Sequence, residues 1–332
     1  MFNKNTLKKF LSVSLLMAVF LFSGCNSDNG VNTEISNISD IQSTESSSVS
    51  DIQNTDSGTI EIVSYKTRDI ENNDEEITKQ AEVYLPYGYD SSDKSVKYNI
   101  LYFMHGTEGT ESSYLGTPSS PSYFKEKIDD MIANKELNPL IIVMPTVRCG
   151  DEEDYVAKTD YFDEELIEDI IPAVEKKYNT YTDDFSEQGL KASRSHRAFG
   201  GFSMGGQVVW NVFVSDTDYF EYYMPLCHSY INIKSRDMSA DDTAECIAQN
   251  IKDSGYTSSD YYIFAATGTN DEYGIPMISM IDSLKKYTDL FKTSDTDFSF
   301  GNLVLYLSEG DVHSMNNSCE YMYKGLPLLF RH

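Results

Sequence analysis

Apolar and polar positions divide this chain into three regimes. Residues Phe10 to Phe22 are almost wholly apolar, whereas Asn26 to Gly58 holds no aromatic residue, no Lys and no Arg. From about Thr59 to His332, short apolar runs alternate with segments of helical periodicity. The pattern predicts strands near 59–65, 81–85, 98–104, 139–144, 197–201, 222–226, 261–267 and 302–307. The first two, Thr59–Tyr65 and Ala81–Leu85, flank a polar, acidic loop and suggest an antiparallel opening. Asn99-Ile-Leu-Tyr-Phe-Met104 and Leu140-Ile-Ile-Val-Met144 are continuous apolar runs, as expected for parallel strands covered on both faces. Between strands, Asp163-Glu164-Glu165 opens a helix whose stripe is Leu166, Ile167, Ile170, Ile171 and Val174, and Pro172 should kink it. This alternation predicts a single α/β domain with a mainly parallel central sheet and helices on both faces, over 59–332.

The apolar run at the start is an address. Lys4, Lys8 and Lys9 precede it and Ser23-Gly24-Cys25 closes it. It is too short to cross a hydrocarbon core of about 30 Å as a helix, so residues 1–24 are expected to be a signal peptide. Small residues immediately before a Cys resemble a bacterial lipoprotein cleavage site, which implies lipidation of Cys25. The usual Leu three places before the Cys is shifted, with Phe22 there and Leu21 ahead of it. The bland alternative is an ordinary secretory peptide with an incidental Cys; either way the protein is exported to the cell surface or beyond. Residues 25–58 cannot bury enough apolar area to offset ordering, and predict a disordered tether spanning roughly 30 Å. Ser39-Asp40-Ile41-Gln42 recurs as Ser50-Asp51-Ile52-Gln53, a duplicated spacer.

Charge narrows the partners. The 26 Lys and Arg against 53 Asp and Glu leave a formal charge of −27, which repels phosphate backbones and anionic lipid surfaces. Nucleic acid is thereby excluded, and membrane contact is expected only through the N-terminal lipid. Cys149, Cys227, Cys246 and Cys319 show no zinc-site spacing and could pair in three ways or stay free. Asp151-Glu-Glu-Asp154 is expected to be a solvated acidic loop rather than a calcium site. No metal or organic cofactor is implied, and oligomeric state is left open.

One motif carries chemistry. Gly201-Phe202-Ser203-Met204-Gly205 follows a short strand and precedes a helical segment, Gln207 to Val214. A Ser in this strand–turn–helix setting is lifted above the sheet edge at a helix start, as a nucleophile elbow requires. Its flanking glycines suit a turn too tight for side chains. A Ser hydroxyl needs a base, usually a His oriented by a carboxylate. Of the five His, His105 lies before the chemistry in chain order, and His196 precedes the strand feeding the elbow. His228 could line the site but precedes the acid, and His332 is terminal. His313, in the loop after the last strand, is the expected base. Asp271, in Gly268-Thr269-Asn270-Asp271 at a strand end, is the expected acid over Glu272 and Asp311, the latter read as a solvated loop charge. Two backbone amides should form an oxyanion hole: Met204, next after the nucleophile, and Thr107 in His105-Gly106-Thr107-Glu108-Gly109.

His105-Gly106, the Leu140–Pro145 strand ending in Pro-Thr, Leu166-Ile-Glu-Asp-Ile-Ile-Pro172 and Gly201-Phe-Ser-Met-Gly-Gly206 together resemble the esterase D and feruloyl esterase family. The likeness extends over nearly all of Thr59–His332. It implies an α/β-hydrolase fold and a triad of Ser203, Asp271 and His313 acting on esters, often feruloyl or acetyl groups of plant xylan. The expected partner is then a polysaccharide ester. Departures surround the acyl pocket: Glu108 in a loop that is usually richer in Gly, Pro225-Leu-Cys-His-Ser229 in place of Ser-Gly, and Asp311-Val312 and Ser314-Met315 around His313. Other readings are an esterase or acyltransferase on a cell-envelope or siderophore ester, and a surface glycan-binding protein with a relic site.

Overall fold

The computed structural model describes residues 57–69, 74–148, 157–232, 235 and 237–331. The expected signal peptide, Cys25 and the tether up to residue 56 lie outside the described residues, as do Cys149, Asp151–Asp154 and His332.

Among the described residues, nine strands form one sheet: β1 (Thr59–Asp69), β2 (Glu75–Leu85), β3 (Asn99–Met104), β4 (Leu140–Met144), β5 (Arg197–Phe202), β6 (Tyr222–Leu226), β7 (Tyr262–Gly268), β8 (Thr293–Ser294) and β9 (Leu303–Ser308). Their spatial order is β1-β2-β4-β3-β5-β6-β7-β9-β8. Only β1 with β2 and β2 with β4 run antiparallel; the remaining pairs are parallel. The helices used below are α1 (Tyr123–Ala133), α2 (Met204–Ser215), α3 (Ala240–Asp253), α4 (Ile275–Leu284) and α5 (Met315–Gly325).

Central strands bury both faces, which is why they read as unbroken apolar runs: every residue of β5 and β6 is buried. One face packs against α1 and α5 through Phe124, Ile128, Tyr321 and Met322. The other packs against α2, α3 and α4 through Trp210, Ile247 and Met277. Among the described residues no helix is long and apolar enough to cross a membrane.

Three local expectations are revised. The polar stretch after Tyr65 is mostly strand, because β1 pairs with β2 from Thr59↔Leu85 to Asp69↔Glu75. Lys66, Glu75 and Glu76 lie exposed, whereas Asp69 and Lys79 are buried. Pro172 is accommodated by a π-helical turn over Leu166–Ile170 ahead of the helix Ile171–Glu175. Proline has no N–H to close the ordinary ladder, and the widened turn absorbs the missing bond. Ser57 and Gly58, expected in the tether, are held against the domain: Ser57 Oγ and Gly58 N each donate to Asp129 at 2.9 Å.

Candidate active site

The site lies at the carboxyl ends of the parallel strands, where the order reverses. From β3 the chain steps to β4 on one side and then to β5 on the other, leaving a crevice at the strand ends. Ser203 stands between β5 and α2 at φ 57° and ψ −120°. A Cβ on Gly201 would sit 2.4 Å from Gly205 O, and one on Gly205 only 2.3 Å from Met104 O. Both positions therefore exclude any side chain, and their glycines let α2 start directly above β3. Ser203 N donates to Leu226 O at 2.9 Å, tying the turn to the end of β6.

Asp271 follows β7 and is fully buried. Its Oδ1 accepts from Tyr273 N and Gly274 N, each at 3.0 Å, and its Oδ2 accepts from Thr267 Oγ1 at 3.2 Å. Burial pushes the carboxyl up, but hydrogen bonds from His313, the Cys227 thiol and Gly274 outweigh it and hold the group below the usual carboxylate value. The charge also faces the start of α4, where exposed amides favour an anion.

His313 hangs in the loop between β9 and α5, and Ser314 beside it caps α5 by accepting from Asn317 N at 3.2 Å. Its Nδ1 lies 2.9 and 3.0 Å from the two Asp271 oxygens, and its Nε2 lies 2.8 Å from Ser203 Oγ. An ionised carboxylate only accepts, so Nδ1 carries the proton and the Nε2 lone pair faces the Ser203 hydroxyl. Phe202 stacks on one side of the imidazole at 4.7 Å, and the Tyr273 ring lies 4.6 Å away. The three residues singled out by elimination and chain order thus form one hydrogen-bonded line.

Met204 N is the first amide of α2, directly after Ser203. Thr107 lines the same cavity, and its loop is pinned from behind. Gly106 O lies 2.7 Å from His105 Nδ1 and accepts from Gly109 N at 2.9 Å. The peptide is trans, so the Thr107 N–H points away from those two partners. Arg148 donates to Thr107 O and to Gly109 O, both at 2.9 Å. His105 Nε2 meets Thr146 Oγ1 at 2.8 Å, and burial brings its pKa down to about 4, so the ring stays neutral.

His105, passed over in the chain-order argument, therefore supports the loop that carries Thr107. Arg148 went unnoticed because nothing adjacent in sequence marks it; only folding brings the end of β4 against the end of β3. His196 is a packing residue, stacked on Tyr181 at 3.5 Å. His228 is held by the structure, its carbonyl accepting from Trp210 Nε1 at 2.9 Å. Asp311 is more than a solvated charge: Tyr321 OH donates to it at 3.0 Å. Glu272 lies outside the line, on a neighbouring cavity.

Cys227, Cys246 and Cys319 are free thiols. Ligand atoms of Cys227, Asp271 and His313 lie within 4.8 Å of one another, which is near enough for a metal ion. Burial, however, raises the thiol far above its ordinary value, and a thiol that keeps its proton is a donor to Asp271 rather than a ligand. The cavity above Ser203 measures about 550 Å³ and carries the aromatic walls Tyr114, Phe202 and Tyr273. Chemically, this arrangement can activate a hydroxyl against an acyl carbon and hold the oxyanion that forms.

No family model matches the chain. It is 39% identical over 253 residues to endo-1,4-beta-xylanase Y of Acetivibrio thermocellus, covering 76% of this chain and 22% of that protein. It is 30% identical over 152 residues to an endo-1,4-beta-xylanase/feruloyl esterase of Xylanibacter ruminicola, covering 43% of this chain and 18% of the relative. The chain thus spans about a fifth of the length of these curated relatives. Among solved structures, the feruloyl esterase module from Clostridium thermocellum complexed with sinapinate superposes with a TM-score of 0.71 at 36% identity. That match covers 83% of this chain and 89% of the module. With nearly the whole module matched at that identity, on a parallel sheet whose strand ends carry the serine, the chain belongs to the feruloyl esterase family of α/β-hydrolases.

Proposed function

We propose that this protein is a serine esterase that removes feruloyl groups from plant cell-wall polysaccharide, with Ser203, His313 and Asp271 as its triad. The observation that carries the reading is the unbroken line from Ser203 Oγ through His313 to Asp271 beneath an aromatic-walled cavity. Ser203 Oγ attacks the ester carbonyl while His313 Nε2 takes its proton. The Met204 and Thr107 amides hold the oxyanion, and His313 returns the proton to the departing alcohol. Water, activated by the same imidazole, then attacks the acyl-enzyme, and the free acid leaves with Ser203 restored.

A cavity of about 550 Å³ with three aromatic walls suits an aryl acyl group better than acetyl, which would fill a small part of it. Both curated relatives are named as xylanases, and the name of the Xylanibacter ruminicola protein joins xylan cleavage to feruloyl ester hydrolysis, which supports xylan as the polymer. The N-terminal segment supports placing the enzyme at the bacterial surface, lipidated at Cys25 and held off the membrane by its tether.

Incubation with grass arabinoxylan bearing both feruloyl and acetyl esters tests the reading, with the released acids quantified by chromatography. Ferulate release should vanish in Ser203→Ala, whose fold is retained. Acetate alone would make the enzyme a deacetylase, and substantial release by Ser203→Ala would remove the nucleophile.

A further inference from the structure

Beside the catalytic cavity runs a groove of about 370 Å³ between the start of α1 and the first turns of α5. The two share Ser113, Tyr114 and Met315 as a common wall. A second neighbouring cavity shares only Tyr273 with the site, and that ring is already packed on His313. The alcohol of the ester leaves on the His313 side, since Nε2 must reach its oxygen. Ser314 and Met315 follow His313 and lead directly into this groove.

Its floor is rigid and apolar. Phe124 stacks on Tyr323 at 5.5 Å, Tyr114 meets Phe124 edge-on at 5.6 Å, and the Tyr114 hydroxyl is tied to Ser318 at 2.7 Å. Its rim carries the exposed polar residues Asn316 and Glu320. On the lip stands Tyr123, 73% exposed, an aromatic ring with little packing role of its own. A flat ring beside hydrogen-bonding groups is what a pyranose needs: apolar C–H face against the ring, hydroxyls toward the rim. A membrane or protein partner would ask for a larger apolar patch than one ring over a narrow groove.

We infer that this groove is a binding site for sugar units of the polysaccharide that carries the ester, with Tyr123 as the stacking platform. The inference rests on the esterase reading. It makes Tyr123 a specificity residue that the acyl group never touches.

The test compares Tyr123→Ala and Tyr123→Trp with wild type in the purified full-length protein, on methyl ferulate and on feruloylated arabinoxylan. Tyr123→Ala should raise KM for the polymer by about 3- to 10-fold, the size of one lost aromatic contact. It should leave methyl ferulate kinetics unchanged, and Tyr123→Trp should keep polymer activity. Unchanged polymer kinetics in Tyr123→Ala, or an equal loss on both substrates, overturns the groove while the esterase stands. Wild-type activity on methyl ferulate with none on the polymer overturns groove and polysaccharide together. Inactivity on both overturns the esterase reading itself.

Discussion

Ser203 holds a left-handed backbone conformation that a non-glycine residue rarely adopts, and its neighbours leave it no alternative. Gly201 and Gly205 abut backbone atoms, so the turn cannot relax without moving α2 off β3. The same economy governs His105. Its burial without an ionic partner keeps the ring neutral, with Nδ1–H toward Gly106 O and Nε2 accepting from Thr146. Because its folded pKa of about 4 lies below the unfolded value near 6.5, the unfolded chain binds the extra proton between those limits. Its contribution to stability is therefore present above pH about 6.5 and is lost as pH falls toward 4, on the order of 3 kcal/mol in all. In His105→Asn, which keeps a donor near Gly106 O, that part of the slope should disappear. Urea unfolding of both proteins at pH 7.5 and 4.5 reads the difference directly.

At the scale of elements, the nucleophile strand is anchored at its far end by a buried ion pair. Arg197 opens β5 and Glu175 closes the helix that follows the π turn; each is about 1% exposed, with Nε 2.7 Å from Oε1. Arg197 also donates to Leu190 O and Tyr219 O, and Glu175 accepts from Tyr102 OH on β3 at 3.0 Å. The pair thus joins the two strands whose opposite ends carry Ser203 and the Thr107 loop. Removing one partner leaves the other charge buried and uncompensated, typically at a cost of about 3–5 kcal/mol. Glu175→Ala should show that loss in denaturant unfolding. In the fraction that remains folded, kcat should stay close to wild type, since the pair lies at the end of β5 remote from the serine. A large drop in kcat at full foldedness would mean that the pair also sets the active-site geometry.

For the whole molecule, a formal charge of −27 and the short apolar N-terminal run make opposite demands. The negatively charged chain is repelled by anionic lipid, so the surface location proposed above requires a lipid on Cys25. Cys25→Ser, fractionated after expression in a bacterial host that lipidates exported proteins, should move the enzyme from the membrane fraction to the soluble one with specific activity unchanged. Retention in the membrane fraction would refute the anchor.

The central strands β3 to β7 were legible because each is a short apolar run with turn residues at its ends, and burial on both faces needs no partner information. The serine, the histidine and the acid were legible for a related reason. Chain order places catalytic groups at strand ends, and five histidines left few alternatives. The register of β1 and β2 stayed hidden because an edge hairpin with one wet face looks like a polar loop. Arg148, the supporting role of His105, the Cys227 donor and the groove at Tyr123 came only with the fold. Each depends on a contact between residues far apart in sequence, or on which of many tyrosines is left exposed. Local pattern determines which elements form and where a nucleophile can sit; the crossing of β3, β4 and β5 decides what surrounds it. That surrounding arises from non-local packing, which no local pattern encodes.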